Sequence, residues 1–302
     1  MQIGNSLLEA RTALPTTPGQ QLSLEVVRAD EQIILRIIPI PPPAEPTLEA
    51  LRKSLPQQLP LAAAFSRFTE ILAASPSLTP AVTALLEQLL QQLPDAHTIT
   101  QADTLKEALM DSGLFLERKL DPGLQPSSLS KDIKANLLRL LAELTQVRSD
   151  AGADLTRHVE AALARIQLHQ LAAVTQGQAP AAWAGELPVR HDNHINVFQF
   201  RIEKDTHHSE DAAQQSWHTW LSFSLKTLGP LHVKITLANR SIAAAMWAES
   251  SATADLVNEH LNYLHQSLDK LGLEVKGVHC LHGRPPFIPL DRLPKGLVDL
   301  SA

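Results

Sequence analysis

The chain has 302 residues, 44% hydrophobic but only 4% aromatic, with a net charge of -6. That length suits two domains, because single cores stop growing near about 250–300 residues, and the cores must be built from Leu, Ala, Val and Ile. The acidic balance without a Lys/Arg cluster excludes nucleic acid as a partner, since phosphate contact needs a basic face, and the single cysteine, Cys280, excludes an intramolecular disulfide. No basic segment followed by an apolar run opens the chain, and nowhere do about 18 apolar residues run together. The expectation is cytoplasmic synthesis, with neither a cleaved signal nor membrane insertion.

Residues 21–38 form two β-rich runs around Ala29, with Leu22, Leu24 and Val26 alternating before the turn and Ile33, Leu35 and Ile37 after it. This predicts a hairpin. Pro39, Pro41, Pro42, Pro43 and Pro46 then fix φ and remove amide donors, which predicts a stiff extended linker. Residues 1–46 are read as one region of hairpin and linker.

Residues 47–176 switch to helical segments punctuated by proline and glycine, enough for four or five helices. The clearest runs from Leu129 to Val147, where Ile133, Leu137, Leu140, Leu141, Leu144 and Val147 recur at three- and four-residue intervals. Asp154 to Val174 repeats this with Leu155, Val159, Leu163, Ile166 and Leu171. Such stripes are core surfaces.

Gly177, Pro180 and Gly185 mark a further boundary. Alternation then predicts strands over 194–203, 217–226, 231–238 and 241–248, with the polar stretch around His207 and His208 as a solvated loop. A helix follows from Thr253, its expected N-cap, to Leu271, presenting Leu256, Val257, Leu261, Leu264, Leu268 and Leu271 on one face. Gly272 supplies the left-handed stop, and a last strand spans 273–281. Residues 177–283 are thus an α+β domain, β-β-β-β-α-β, in which an antiparallel sheet carries one packed helix. Residues 183–283 should fold alone, with Trp217, Trp220 and Trp247 on strands. The tail, 284–302, is proline-rich and expected to be extended.

Catalytic and metal signatures are missing. There is no nucleophile elbow, phosphate loop or dinucleotide fingerprint. Asp103, Glu107 and Asp111 lie four apart on one predicted helix face and read as a solvated face. His279 and Cys280 point to opposite faces of a strand and so cannot jointly hold an ion; Cys280 reads as a buried small hydrophobe. No cofactor, metal or enzymatic activity is expected.

The informative segment runs from Leu221 to Leu237: two alternating strands with Leu228-Gly229-Pro230-Leu231 at the reversal and Val233 and Ile235 beyond it. After about 20 residues comes LNYLHQSLDKLGLEV, with Leu264, Leu268, Gly272, Leu273 and Val275. Together these resemble the C-terminal domain of the flagellar hook-length control family, over roughly 215–281 and more weakly back to 183. Leu225, His265 and Ala254 depart from the proline and two arginines usual there.

The resemblance implies hook-length control and a switch of type III export substrates through the cytoplasmic domain of the export gate's switch protein, with hook or hook-cap proteins as further partners. It also implies export of the N-terminal part through the flagellar apparatus, without a cleaved signal. Fully extended, 176 residues would reach on the order of 550–600 Å. The alternative is a cytosolic adaptor that keeps the binding domain and is never exported. The partner residues implied are Leu228, Gly229, Pro230, Leu231, His232, Val233 and Lys234, with Leu264, His265, Gly272 and Leu273. Alternation places Leu231, Val233 and Ile235 on one face and His232, Lys234 and Thr236 on the other. If the first face is core, contact comes from the second or from the turn.

Overall fold

The computed structural model describes residues 2–3, 6–7, 23–29, 33–38, 46–74, 78–121, 129–175, 182–192, 194–205 and 216–286. The chain divides into two units, residues 1–49 and 50–302.

In the first unit β1 (Gln2–Ile3) pairs antiparallel with β2 (Ser6–Leu7), and β3 (Ser23–Ala29) with β4 (Ile33–Ile38). The second pair is the hairpin expected from the alternation, with Leu24 opposite Ile37 and Val26 opposite Leu35. The proline-rich stretch 39–45 lies outside the described residues. Pro46 opens α1 (Pro46–Ser54), where a missing amide hydrogen costs nothing because the first helical N–H groups have no intrahelical partner.

In the second unit the helical region continues with α2 (Leu61–Ala74), α3 (Pro80–Gln91), α4 (Ala102–Met110), the single turn α5 (Leu116–Lys119), α6 (Ile133–Leu144) and α7 (Asp150–Thr175). Counting α1, these are more helices than the four or five expected, several of them short, with Pro80 at the first position of α3 and α7 running longer than its predicted 154–174. Thr79 caps α3, its hydroxyl accepting from the Val82 amide at 3.3 Å, and Asp132 caps α6, accepting from Ala135 at 3.0 Å. The α6 stripe of Ile133, Leu137, Leu140 and Leu144 and the α7 stripe of Leu155, Val159 and Ile166 meet Phe65, Phe68, Leu86 and Leu89 in one core.

Beyond it lies a six-stranded sheet, ordered β10-β9-β8-β7-β6-β5. Its strands are β5 (Ala182–His191), β6 (His194–Asp205), β7 (Ser216–Leu225), β8 (Gly229–Ala238), β9 (Ser241–Ala248) and β10 (Glu274–His282). The helix α8 (Ser251–Lys270) joins β9 to β10. β5 through β9 form an antiparallel meander, but β10 runs parallel to β9. A parallel neighbour needs a crossover, and α8 is that crossover. β5 is a strand that the sequence reading had placed in a boundary, where Gly185 and Pro188 obscure the alternation. Glycine at 185 admits the close approach of Phe200 and Leu114, whose side chains a Cβ would meet within 3 Å. Residues 206–215 and 287–302, the loop and most of the tail, lie outside the described residues.

One face of the sheet is covered twice. At one end α8 lays Val257, Leu261 and Leu264 over Leu231, Met246, Ala248 and Cys280. At the other, Ala108, Ile99 and Leu109 cover Leu187, Val189 and Phe200. On the opposite face the helical core packs on Ile195 and Val197 of β6, and Glu186 of β5 is bonded to the start of α2 and to Arg165 of α7.

α8 departs from expectation at both ends. Ser250, not Thr253, is the N-cap, its hydroxyl accepting from the Thr253 amide at 3.4 Å. Leu256 (40% exposed) and Leu271 (73%) face away from the sheet. Gly272 adopts φ +72, the left-handed stop its sequence position predicts.

Candidate functional site

The β7–β8 reversal is a short loop over Lys226, Thr227 and Leu228. Leu228 donates its amide to the Leu225 carbonyl at 3.2 Å, and Gly229, at φ +73, closes the turn opposite Leu225. No atom crowds the place of a Cβ at Gly229, so backbone conformation alone selects glycine. The Leu228 carbonyl accepts from the buried Thr253 hydroxyl at 2.6 Å, and the Pro230 carbonyl from the Glu249 amide at 3.2 Å. Turn, helix start and β9 end are therefore tied together.

β8 then divides by alternation. Leu231 and Val233 lie beneath α8, packed against its Leu264, and are core. Gly272 and Leu273 end the helix, with the Arg240 guanidinium donating to the Gly272 carbonyl at 3.1 Å, and His265 lies exposed beside Asp269 at 2.9 Å. The named residues thus separate into a packed set (Leu231, Val233, Leu264) and sets at two places: the turn with the second β8 face, and the far end of α8.

The second face of β8 is not uniformly solvated. His232 is buried at 6% exposure. The Ser222 hydroxyl lies 2.8 Å from its Nδ1, and Glu249 Oε1 lies 3.2 Å from its Nε2. Arg284, just past β10, donates to Glu249 Oε2 at 2.8 Å. Hydrogen bonds from Arg284 and His232 hold the Glu249 carboxyl below the usual carboxylate range.

On either side of β8 stand Trp220 of β7 and Trp247 of β9, diagonal to one another across Lys234 and His232. Their rings stack at 6.2 Å and 16°, and Lys234 Nζ sits 5.3 Å from the Trp220 ring centre. Beside Trp247 on β10 is Leu281, 49% exposed. Among the described residues no hydrophobic cluster packs a helix onto this face of β8, β9 and β10, whereas the other face of the same strands is under α8. Two half-exposed tryptophans and an exposed leucine beside a cation have the composition of a protein-binding patch.

The sequence reading had assigned Trp220 and Trp247 to strands but not to the site. Parity within each strand was available from alternation, which puts Trp220 on the same side of β7 as Ser222 and Trp247 on the side of β9 opposite Met246 and Ala248. What was missing was the strand register that brings them together. Cys280 and His279 do take opposite faces of β10, Cys280 buried and His279 exposed. Asp111, at the end of α4, is not part of a free acidic set, since the Lys119 ammonium bridges it (2.5 Å) to the fully buried Asp132 (2.8 Å).

Residues 207–287 match the family model described as flagellar hook-length control protein FliK. The match spans β7 to β10 with α8, and so contains the β7–β8 turn, both tryptophans and Lys234. The matched segment contains the Leu228–Ile235 and Leu264–Val275 motifs that carried the resemblance in the sequence. No curated protein and no solved structure is matched by the chain.

Proposed function

We propose that this protein acts in flagellar hook-length control by binding rather than by catalysis. In this reading its C-terminal domain docks on the cytoplasmic domain of the export gate's switch protein and changes the class of exported substrate. The observation that carries the proposal is that the uncovered aromatic face of Trp220, Lys234 and Trp247 lies wholly within the segment matching the hook-length control family. Leu231 and Val233, packed against Leu264 of α8, hold that face in shape. Leu228, Gly229 and Pro230 form its rim. Of the partners considered, the switch protein is favoured over hook or hook-cap proteins because in the family that this segment resembles the C-terminal domain is the part that meets it. No helix of the described residues is long and apolar enough to cross a membrane, which suits a chain passed through the export channel.

The test is calorimetric binding of the full chain to the switch protein's cytoplasmic domain. Lys234→Glu and Trp247→Ala should each weaken binding about tenfold or more while circular dichroism stays unchanged, as truncation of a central tryptophan usually does. His232 is left intact, because a glutamate there would bury a second carboxylate against Glu249. Wild-type affinity in both variants would exclude this face.

A further inference from the structure

β6 and β7 pair from Gln199 opposite Ser222 to Asp205 opposite Ser216, and not before. The first residues of β6 and the last of β7 therefore diverge, and a cleft of about 300 Å³ opens between them beside the β7–β8 turn. α2 closes its side with Phe65, Ser66 and Thr69, the β6 start supplies His194 and Asn196, and the β7 end supplies Ser224 and Lys226.

The lining is one-sided in its chemistry. It holds one cation, Lys226, and no carboxylate. The nearest acid along α2, Glu70, is held by Arg67 at 2.7 Å and accepts the Ser66 hydroxyl at 3.3 Å, and Thr69 donates its hydroxyl to the Ser66 carbonyl. Among the described residues the side chains of Lys226, His194, Asn196 and Ser224 have no hydrogen-bond partner. Each can donate: the ammonium only donates, and the imidazole, amide and hydroxyl can turn a donor toward an anion. Four unengaged donors around a cleft, one of them charged, match the acceptor-only oxygens of an anion.

We infer that this cleft is an oxyanion site, taking a phosphate or a carboxylate with Lys226 as its charged anchor. The oxygen ligand has two sources, free phosphate or a protein's acidic side chain. For the second, acetate is the probe.

The experiment is a titration of the isotopically labelled full chain with inorganic phosphate, with acetate and with chloride at matched ionic strength, followed through amide shifts. Saturable shifts at Asn196, Ser224, Lys226 and Thr69 with phosphate alone would identify free phosphate as the ligand. Equal response to acetate would identify a carboxylate. Lys226→Ala and Ser224→Ala change exposed residues and leave the core intact; the first should weaken binding about tenfold or more, as loss of a charge-assisted contact does. Shifts identical to those in chloride, or unaltered by Lys226→Ala, would overturn the assignment. The measurement uses the chain alone, so its outcome and that of switch-protein binding are independent.

Discussion

At the scale of single residues the most consequential group in the helical region is Glu186 on β5. Its side chain is 1% exposed, and its carboxylate accepts from the Leu61 amide at the start of α2 (2.9 Å), from Arg165 of α7 (2.8 Å) and from Gln199 of β6 (3.1 Å). Burial alone would raise its pKa, but the Arg165 hydrogen bond and charge, with the Leu61 amide, hold it below the usual carboxylate range. Nearby, His169 is pushed down to about 4, by burial first and then by Arg165, against the pull of Glu186. Its Nε2 is buried without a partner. Between pH about 4 and 6.5 the unfolded chain binds a proton at His169 that the folded chain refuses, so stability rises with pH across that window and levels above it. Glu186 adds stability that is present above its unfolded value of 4.5 and is lost as pH falls through its lowered folded value. Urea unfolding from pH 4 to 8 should show this slope. In His169→Leu it should be largely abolished, with no loss at pH 7, because an unsatisfied polar atom is replaced by an apolar one. Arg165→Ala should instead cost about 3 kcal/mol at pH 7 by leaving a buried carboxylate unpaired. An unchanged slope in His169→Leu would show that the acid sensitivity lies elsewhere.

Among the elements, α8 is where sequence and structure agree on existence and differ in detail. The stop at Gly272 was legible because only a left-handed residue ends a helix that way. The start was misassigned because Ser250, Ser251 and Thr253 are all competent caps, and the choice depends on a tertiary contact: Thr253 is drawn inward to donate to Leu228. Leu256 and Leu271 were assigned to the core stripe by spacing, but a helix lying on a sheet buries a narrower arc than spacing alone suggests. The turn motif was legible in full, since Gly229 is required by its backbone angle. The aromatic face was not, because it needs β7, β8 and β9 in register. Two element-scale outcomes follow from these contacts. Thr253→Val should cost about 1–2 kcal/mol by leaving the Leu228 carbonyl unmet, whereas Ser250→Ala should cost about 1 kcal/mol as an ordinary cap loss. Only the first should also shift the amide resonances of the β7–β8 turn; equal behaviour of the two variants would argue against the tie between helix and turn.

For the second unit as a whole, the segment matching the family begins at residue 207, yet the sheet does not begin there. β5 and β6 extend it, and they carry the contacts that join it to the helices: Leu187, Val189 and Phe200 against Ala108 on one face, Ile195 and Val197 against the helical core on the other, with Glu186 between α2 and α7. Sequence alternation found β6 but gave no sign that its two faces are covered by α4 and α2, far earlier in the chain. A fragment of residues 183–283 therefore keeps the α8 core and loses the cover of β5 and β6. We expect it to fold over β7–β10 and α8, with dispersed amide resonances there, because Leu231, Met246, Ala248 and Cys280 need only α8. Amides of β5 and β6 should exchange with solvent about a hundredfold faster than in the full chain, since protection falls with the loss of buried apolar contacts. Hydrogen exchange on the two samples decides it. Full protection of β5 and β6 in the fragment would mean that the helices merely rest on a self-sufficient sheet. Loss of protection throughout would mean that the helices and the whole sheet unfold as a single cooperative unit.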